Sequence, residues 1–184
     1  MKKIYILLVV LGTLFLSTRS FGQNMYVSTN LLDYVNIGTI NAEFGLSPKP
    51  KWSFYSRVRY NPFTLNMKKQ MQNRVASVAF GTKYWFWYTN TGWFLNSHLS
   101  FSLYNTGGIL NSKAYEGEAF SLSAGGGYSL MLSERLNLDF GIGLQGGYTS
   151  YTEFECPKCG KITGKEKKIF VAPSNLLVQL SLIL

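Results

Sequence analysis

Two cysteines, one histidine and a set of charged side chains at alternating positions are the residues of this 184-residue chain that could do chemistry. Cys156-Pro157-Lys158-Cys159-Gly160 has the spacing of a zinc knuckle, with Pro and Gly favouring a tight turn. Structural zinc wants four ligands, and the chain offers no other Cys and a single His, so only a zinc shared between two copies would complete the set. A disulfide between Cys156 and Cys159 needs no partner and suits an oxidising location, and it is the preferred reading. Free or redox-active thiols are the third, although such pairs usually sit at a helix N-terminus and no helix is predicted here. No resident cofactor or metal is expected.

His98 and Ser100, two residues apart, would share one face of a strand and could begin a hydrolase constellation acting on lipid. That face is predicted to look into a barrel lumen, whereas an acyl chain would arrive from the lipid side, and a carboxylate partner is not evident. The preferred reading is a polar interior histidine and no enzyme, with a lipid hydrolase using His98 as the alternative. Glu43, Arg57, Arg59, Lys83 and Asp139 fall on the same polar face, with Tyr55, Gln145, His98 and Gln179 near them. Opposite charges facing each other in so narrow a bore would form a network that blocks flow; a narrow pore is the further alternative. Gly125-Gly126-Gly127 lacks the Lys-Ser/Thr and helix of a phosphate loop and reads as a bend in a curved sheet.

The remaining candidates are basic loop residues: Lys68, Lys69 and Arg74 in one segment, Lys161, Lys165, Lys167 and Lys168 in another. They are either solvated loop charges or contacts for anionic lipid headgroups, lipopolysaccharide and acidic glycans.

These side chains need elements to position them, and the start of the chain says where those elements are built. Lys2 and Lys3, an apolar run over 4–16, and Ser20-Phe21-Gly22 form a signal peptide expected to be cleaved after Gly22. The apolar run is shorter than the roughly 20 residues that span a bilayer. Removing the signal leaves 15 basic against 9 acidic residues. Export and the lack of a basic helix exclude a nucleic-acid partner.

Only 15% of residues are charged while 16% are aromatic, and no later segment is apolar enough for a membrane helix. A membrane chain of this kind must close a sheet to satisfy its backbone. Eight alternating segments are predicted at 25–33, 37–47, 51–60, 75–88, 92–105, 119–132, 135–150 and 169–184. Trp52, Phe54, Val58 and Tyr60 alternate with Ser53, Tyr55, Arg57 and Arg59; Leu138, Phe140 and Ile142 alternate with Asn137 and Asp139. Short turns at Pro48, Asn90 and Glu134 alternate with external loops near 34–36, 61–74, 106–118 and 151–168. Trp52, Trp85, Trp87, Tyr88 and Trp93 near the short turns suggest an interfacial girdle. The expectation is an all-β, eight-stranded antiparallel up-and-down transmembrane β-barrel over 23–184, in the cell outer membrane after secretion.

Thr29-Asn30-Leu31-Leu32, Tyr60-Asn61-Pro62-Phe63, Lys83-Tyr84-Trp85-Phe86 and the Cys156-Pro157-Lys158-Cys159-Gly160 loop follow in an order that is fairly specific. On these residues the chain resembles an uncharacterised family of small outer-membrane proteins from Bacteroidetes, domain-of-unknown-function family 3575. The resemblance covers most of the mature chain and implies the barrel, with a genomic association with fimbrial or other surface-structure genes; it implies no reaction. The function expected is therefore a non-enzymatic barrel displaying surface loops, supporting envelope integrity or the assembly of a surface structure. Its partners would be outer-membrane lipids, lipopolysaccharide, the barrel-insertion machinery and surface-appendage proteins.

Overall fold

The computed structural model describes residues 24–35, 38–66, 71–107, 113–156 and 160–184; the predicted signal peptide lies outside them. Its strands are β1 (Asn24–Asn30), β2 (Ile40–Lys49), β3 (Trp52–Asn61), β4 (Thr64–Asn66), β5 (Met71–Trp85), β6 (Gly92–Gly107), β7 (Ala114–Ser133), β8 (Leu136–Phe154) and β9 (Ile162–Ile183). One five-residue helix, α1 (Leu31–Val35), follows β1. Apart from β3 and β4, neighbours in sequence pair antiparallel; β1 closes on β9, and β3 pairs with β5. Because β4 continues the line of β3 along β5, the sheet is a closed barrel of eight staves.

The alternation resolves into an inside and an outside, and it is inverted relative to a soluble barrel. Phe54, Val58, Phe80, Leu95, Leu99, Leu122 and Ile142 are exposed on the outer wall, while Ser53, Glu43, Lys83, Asn96, Ser123 and Asp139 are buried within. A small apolar cluster of Trp85, Phe94 and Leu177 shares the interior. At the turn joining β5 to β6, Asn90 (φ 62°) and Gly92 (φ 71°) take left-handed backbone conformations, which Asn tolerates and Gly adopts freely.

Several predicted boundaries are corrected. The first strand does not run to Asp33: Asn30 Oδ1 accepts the Leu32 amide at 3.3 Å and starts α1, which turns Asp33 inward. The fourth predicted segment stops at Trp85 rather than Tyr88, because the chain bends there into the Asn90 turn. The expected loop at 106–118 is strand at both ends, since β6 reaches Gly107 and β7 begins at Ala114. The expected loop at 151–168 is mostly strand as well, with β8 running to Phe154 and β9 starting at Ile162. Within 61–74, β4 and the start of β5 are extended. These stretches are polar because they lie past the apolar wall, and their backbone ladders continue regardless. Trp85 also leaves the expected girdle: it is 1% exposed and its Nε1 donates to Ser53 Oγ at 2.8 Å, whereas Trp52, Trp87, Tyr88 and Trp93 do lie outside.

Candidate functional site in the barrel lumen

Period-two alternation turns Glu43 on β2, Arg57 on β3, Lys83 on β5 and Asp139 on β8 into one interior. Glu43 is the hub. Its Oε2 accepts from Arg57 Nε at 2.8 Å and Nη2 at 2.6 Å; its Oε1 accepts from Lys83 Nζ at 2.9 Å, Gln179 Nε2 at 3.0 Å and the Tyr26 hydroxyl at 3.2 Å. Lys83 is fully buried and also lies 3.9 Å from Asp139 Oδ2. The rings of Tyr26, Tyr55 and Phe94 surround its ammonium at 5.0, 5.3 and 5.6 Å, adding cation–π attraction in a desolvated setting. Asp139 accepts from Ser129 Oγ at 2.6 Å and Ser181 Oγ at 3.1 Å. Gln179 Nε2 also donates to Ser28 Oγ. Two carboxylates thus hold two cations across the bore with most hydrogen-bonding capacity used, the condition under which buried charge is tolerated.

The half of the lumen nearer the long connections is built differently. Arg57 and Arg59 face Ser77 and Ala79 across β5, then Ser100 and Ser102 on β6, so small side chains stand opposite long ones. They leave a cavity of about 520 Å³, bordered further by His98, Gln145 and Asp33. Arg59 Nη2 donates to Asp33 Oδ1 at 2.5 Å, which ties α1 to the wall. His98 Nδ1 and the Tyr55 hydroxyl share a 3.0 Å hydrogen bond, and Ser100 shares one of 2.7 Å with Ser121. His98 and Ser100 line the cavity together, but each is hydrogen-bonded to a different partner, and among the described residues no carboxylate bonds to His98.

The structure therefore gathers Glu43, Tyr55, Arg57, Arg59, Lys83, His98, Asp139 and Gln145 in one lumen. It adds Tyr26, Asp33 and Ser129, to which the alternation assigns no role, and Asn137, which the alternation places on the polar face but outside the network. Tyr26 sits in an apolar-looking Met-Tyr-Val run, though its even position matched that of Ser28. Asp33 could not be placed by alternation, because α1 breaks the period.

The basic candidates do not converge. Arg74 Nη2 donates to Thr64 Oγ1 at 3.1 Å, Lys161 pairs with Glu155 at 2.8 Å, and Lys168 pairs with Glu166. Lys165 and Lys167 are exposed on the face of β9 that carries Ile169 and Val171. Lys68 and Lys69 lie outside the described residues. Cys156 is disulfide-bonded, and Cys159 lies outside the described residues. Among the described residues no three of His, Cys, Asp and Glu cluster as a metal site.

No curated protein and no solved structure matches the chain. Residues 4–184 match a family described as protein of unknown function (DUF3575). With this match over nearly its whole length, the chain belongs to the DUF3575 family.

Proposed function

We propose that this protein is an integral outer-membrane barrel with a structural, non-enzymatic role: it seals its own bore and carries a tall sheet for display at the cell surface. The observation that carries this reading is the inverted wall, with Phe80 63%, Leu95 52% and Ile142 66% exposed outside while Lys83 and Ser53 are 0% exposed inside. In water that arrangement would leave a continuous apolar girdle far larger than the patches monomeric soluble proteins present; in a bilayer it is the low-energy one. The charged lumen supports a plug, since Lys83 on β5 pairs with Glu43 on β2 and faces Asp139 on β8 across the bore. β7, β8 and β9, at 20, 19 and 22 residues, rise well past β2 and β3, each of 10. That polar extension is the natural site for contact with lipopolysaccharide or with a surface structure such as fimbriae.

Density separation of membranes tests the location, with electrophoresis of unheated and boiled samples alongside. The chain is expected in the outer-membrane fraction, resistant to carbonate extraction and migrating faster when unheated. Recovery in the soluble fraction, or a single mobility, would sink the membrane reading. A deletion strain with unchanged surface appendages and unchanged detergent sensitivity would sink the structural role.

A further inference from the structure

The barrel wall is uneven at one seam. β1 meets β9 over five residue pairs, from Tyr26↔Ile183 to Asn30↔Gln179, and then α1 carries the chain away. β9 continues beyond that point to Ile162, and among the described residues its pairing there is with β8 alone. Asn30 pins the top of the seam: its Nδ2 donates to the Leu176 carbonyl at 3.3 Å and its Oδ1 accepts from the Val178 amide at 3.1 Å. Above this pin the ladder is notched, and α1 packs against β9 there.

Two spaces meet at the notch. Inside is the polar cavity of about 520 Å³ described above, with Arg59, His98 and Ser100 on its far wall. Outside is an apolar groove of about 1070 Å³ that crosses β9, β8, β7 and β6 toward Phe86 and Trp87. Its floor is Gly126, which pairs with Leu95 on one side and Ile142 on the other and contributes no side chain. Leu32 of α1 and Leu176 of β9 border both spaces. A polar chamber and an apolar groove that share two leucines match one kind of molecule, a polar head on a long apolar tail.

The charge of the chamber selects the head. Arg59 Nε is buried without a hydrogen-bond partner among the described residues, and its guanidinium is held by a single contact to Asp33. A guanidinium can grip a carboxylate or phosphate through two parallel N–H groups, so an anionic head has donors to gain that a neutral head does not. An eight-stranded barrel is also of the size that can hold one small ligand when its interior is incompletely filled.

We infer that the notch between α1 and β9 is a lateral entry for a single-chain anionic amphiphile, whose head lies against Arg59 in the lumen and whose tail lies in the groove over Gly126. This rests on the membrane reading above, because the groove faces the bilayer. Asp33 competes with the incoming anion for Arg59, so α1 acts as a latch across the entry.

The test uses the full barrel in phosphatidylcholine nanodiscs with a fluorescent long-chain fatty acid, its methyl ester, and the matching lysophosphatidic acid. At least one of the two acids is expected to bind saturably and about tenfold more tightly than the ester, and which acid does so names the head as carboxylate or phosphate. Arg59→Gln is expected to erase the difference between acid and ester. Asp33→Asn is expected to tighten acid binding about threefold, and Leu176→Trp to weaken acid and ester alike; Asp33→Asn keeps the latch testable should Arg59→Gln not fold. Equal binding of acids and ester by a barrel that has entered nanodiscs overturns this inference and leaves the membrane reading standing, as does an unchanged preference in Arg59→Gln. A chain that does not enter nanodiscs overturns both.

Discussion

Glu43 holds Arg57 and Lys83 together, so the two cations depend on it more than it depends on either. Removing one member of a buried ion pair costs about 3–5 kcal/mol, because the partner is left charged and unpaired. Glu43→Gln leaves Arg57 without its carboxylate and Lys83 with only Asp139 at 3.9 Å, whereas Lys83→Met leaves Glu43 with Arg57, Gln179 and Tyr26. Glu43→Gln is therefore expected to destabilise the folded barrel by at least about 3 kcal/mol in urea titration of the detergent-refolded protein, and Lys83→Met by clearly less. Equal losses would mean that the network is not centred on Glu43. Glu43, Arg57, Lys83, Asp139 and Gln179 are legible in the sequence because alternation says which side chains face inward, whereas Tyr26 and Ser129 are not. Who bonds to whom is not legible, because the pairing of Glu43 with Lys83, 40 residues away, depends on the stagger of strands around the barrel, which no local pattern encodes.

The strands show the same division. The faces of β3, β6 and β8 are readable residue by residue, but β9 is so only over 178–184, because a bulge opposite Gly141 and Gly143 reverses its parity above that stretch. Below the bulge Leu177, Gln179 and Ser181 point inward; above it Ile169 and Val171, also odd-numbered, are exposed outside. Polar composition at the tops of the strands predicts loops, yet Ala114 pairs with Phe154 in a regular ladder. That ladder is closed by an ion pair, Lys113 Nζ to Glu153 Oε1 at 2.6 Å. The hydrogen bond from Lys113, followed by one from Thr163, holds the Glu153 carboxyl below the ordinary carboxylate range. A carboxyl lowered on folding contributes stability above its unfolded range and loses it as pH falls through the lowered value. Hydrogen exchange at the Ala114 and Phe154 amides, after correction for the intrinsic pH dependence, is accordingly expected to lose protection toward acid in the wild type. In Glu153→Gln protection should be lower at neutral pH and flat across the same range. An identical acid profile in the two proteins would place the strand ends' stability elsewhere.

At the scale of the whole molecule, a barrel of this handedness of polarity makes its four tryptophans report on the surrounding solvent. Trp93 is 62% exposed and packs edge-on against Tyr128 with ring centroids 5.1 Å apart, at the end of the wall where β6 leaves the Asn90 turn. Trp85, only eight positions earlier, is 1% exposed and packs at a tilt against Phe94 in the interior. Sequence placed both in one girdle because both lie close to the same turn; the difference is a matter of parity, since Trp85 pairs with Phe94 while Trp93 is one residue out of step. Indole rings prefer the boundary between headgroups and hydrocarbon, so Trp93 belongs at a bilayer interface if the apolar wall is embedded. In single-tryptophan proteins reconstituted with brominated phosphatidylcholines, Trp93 is expected to be quenched most by bromines near the headgroup and less by bromines deep in the chains. Trp85 should emit at shorter wavelength than an aqueous indole and be quenched weakly at every depth, because Ser53, Phe94 and Leu177 surround it on the lumen side. Weak, depth-independent quenching of Trp93 would mean that the outer wall meets no lipid, and the inverted polarity would then need a protein sheath to cover it. Strong quenching of both would mean that the bore is open to lipid and that the Glu43 plug does not close it.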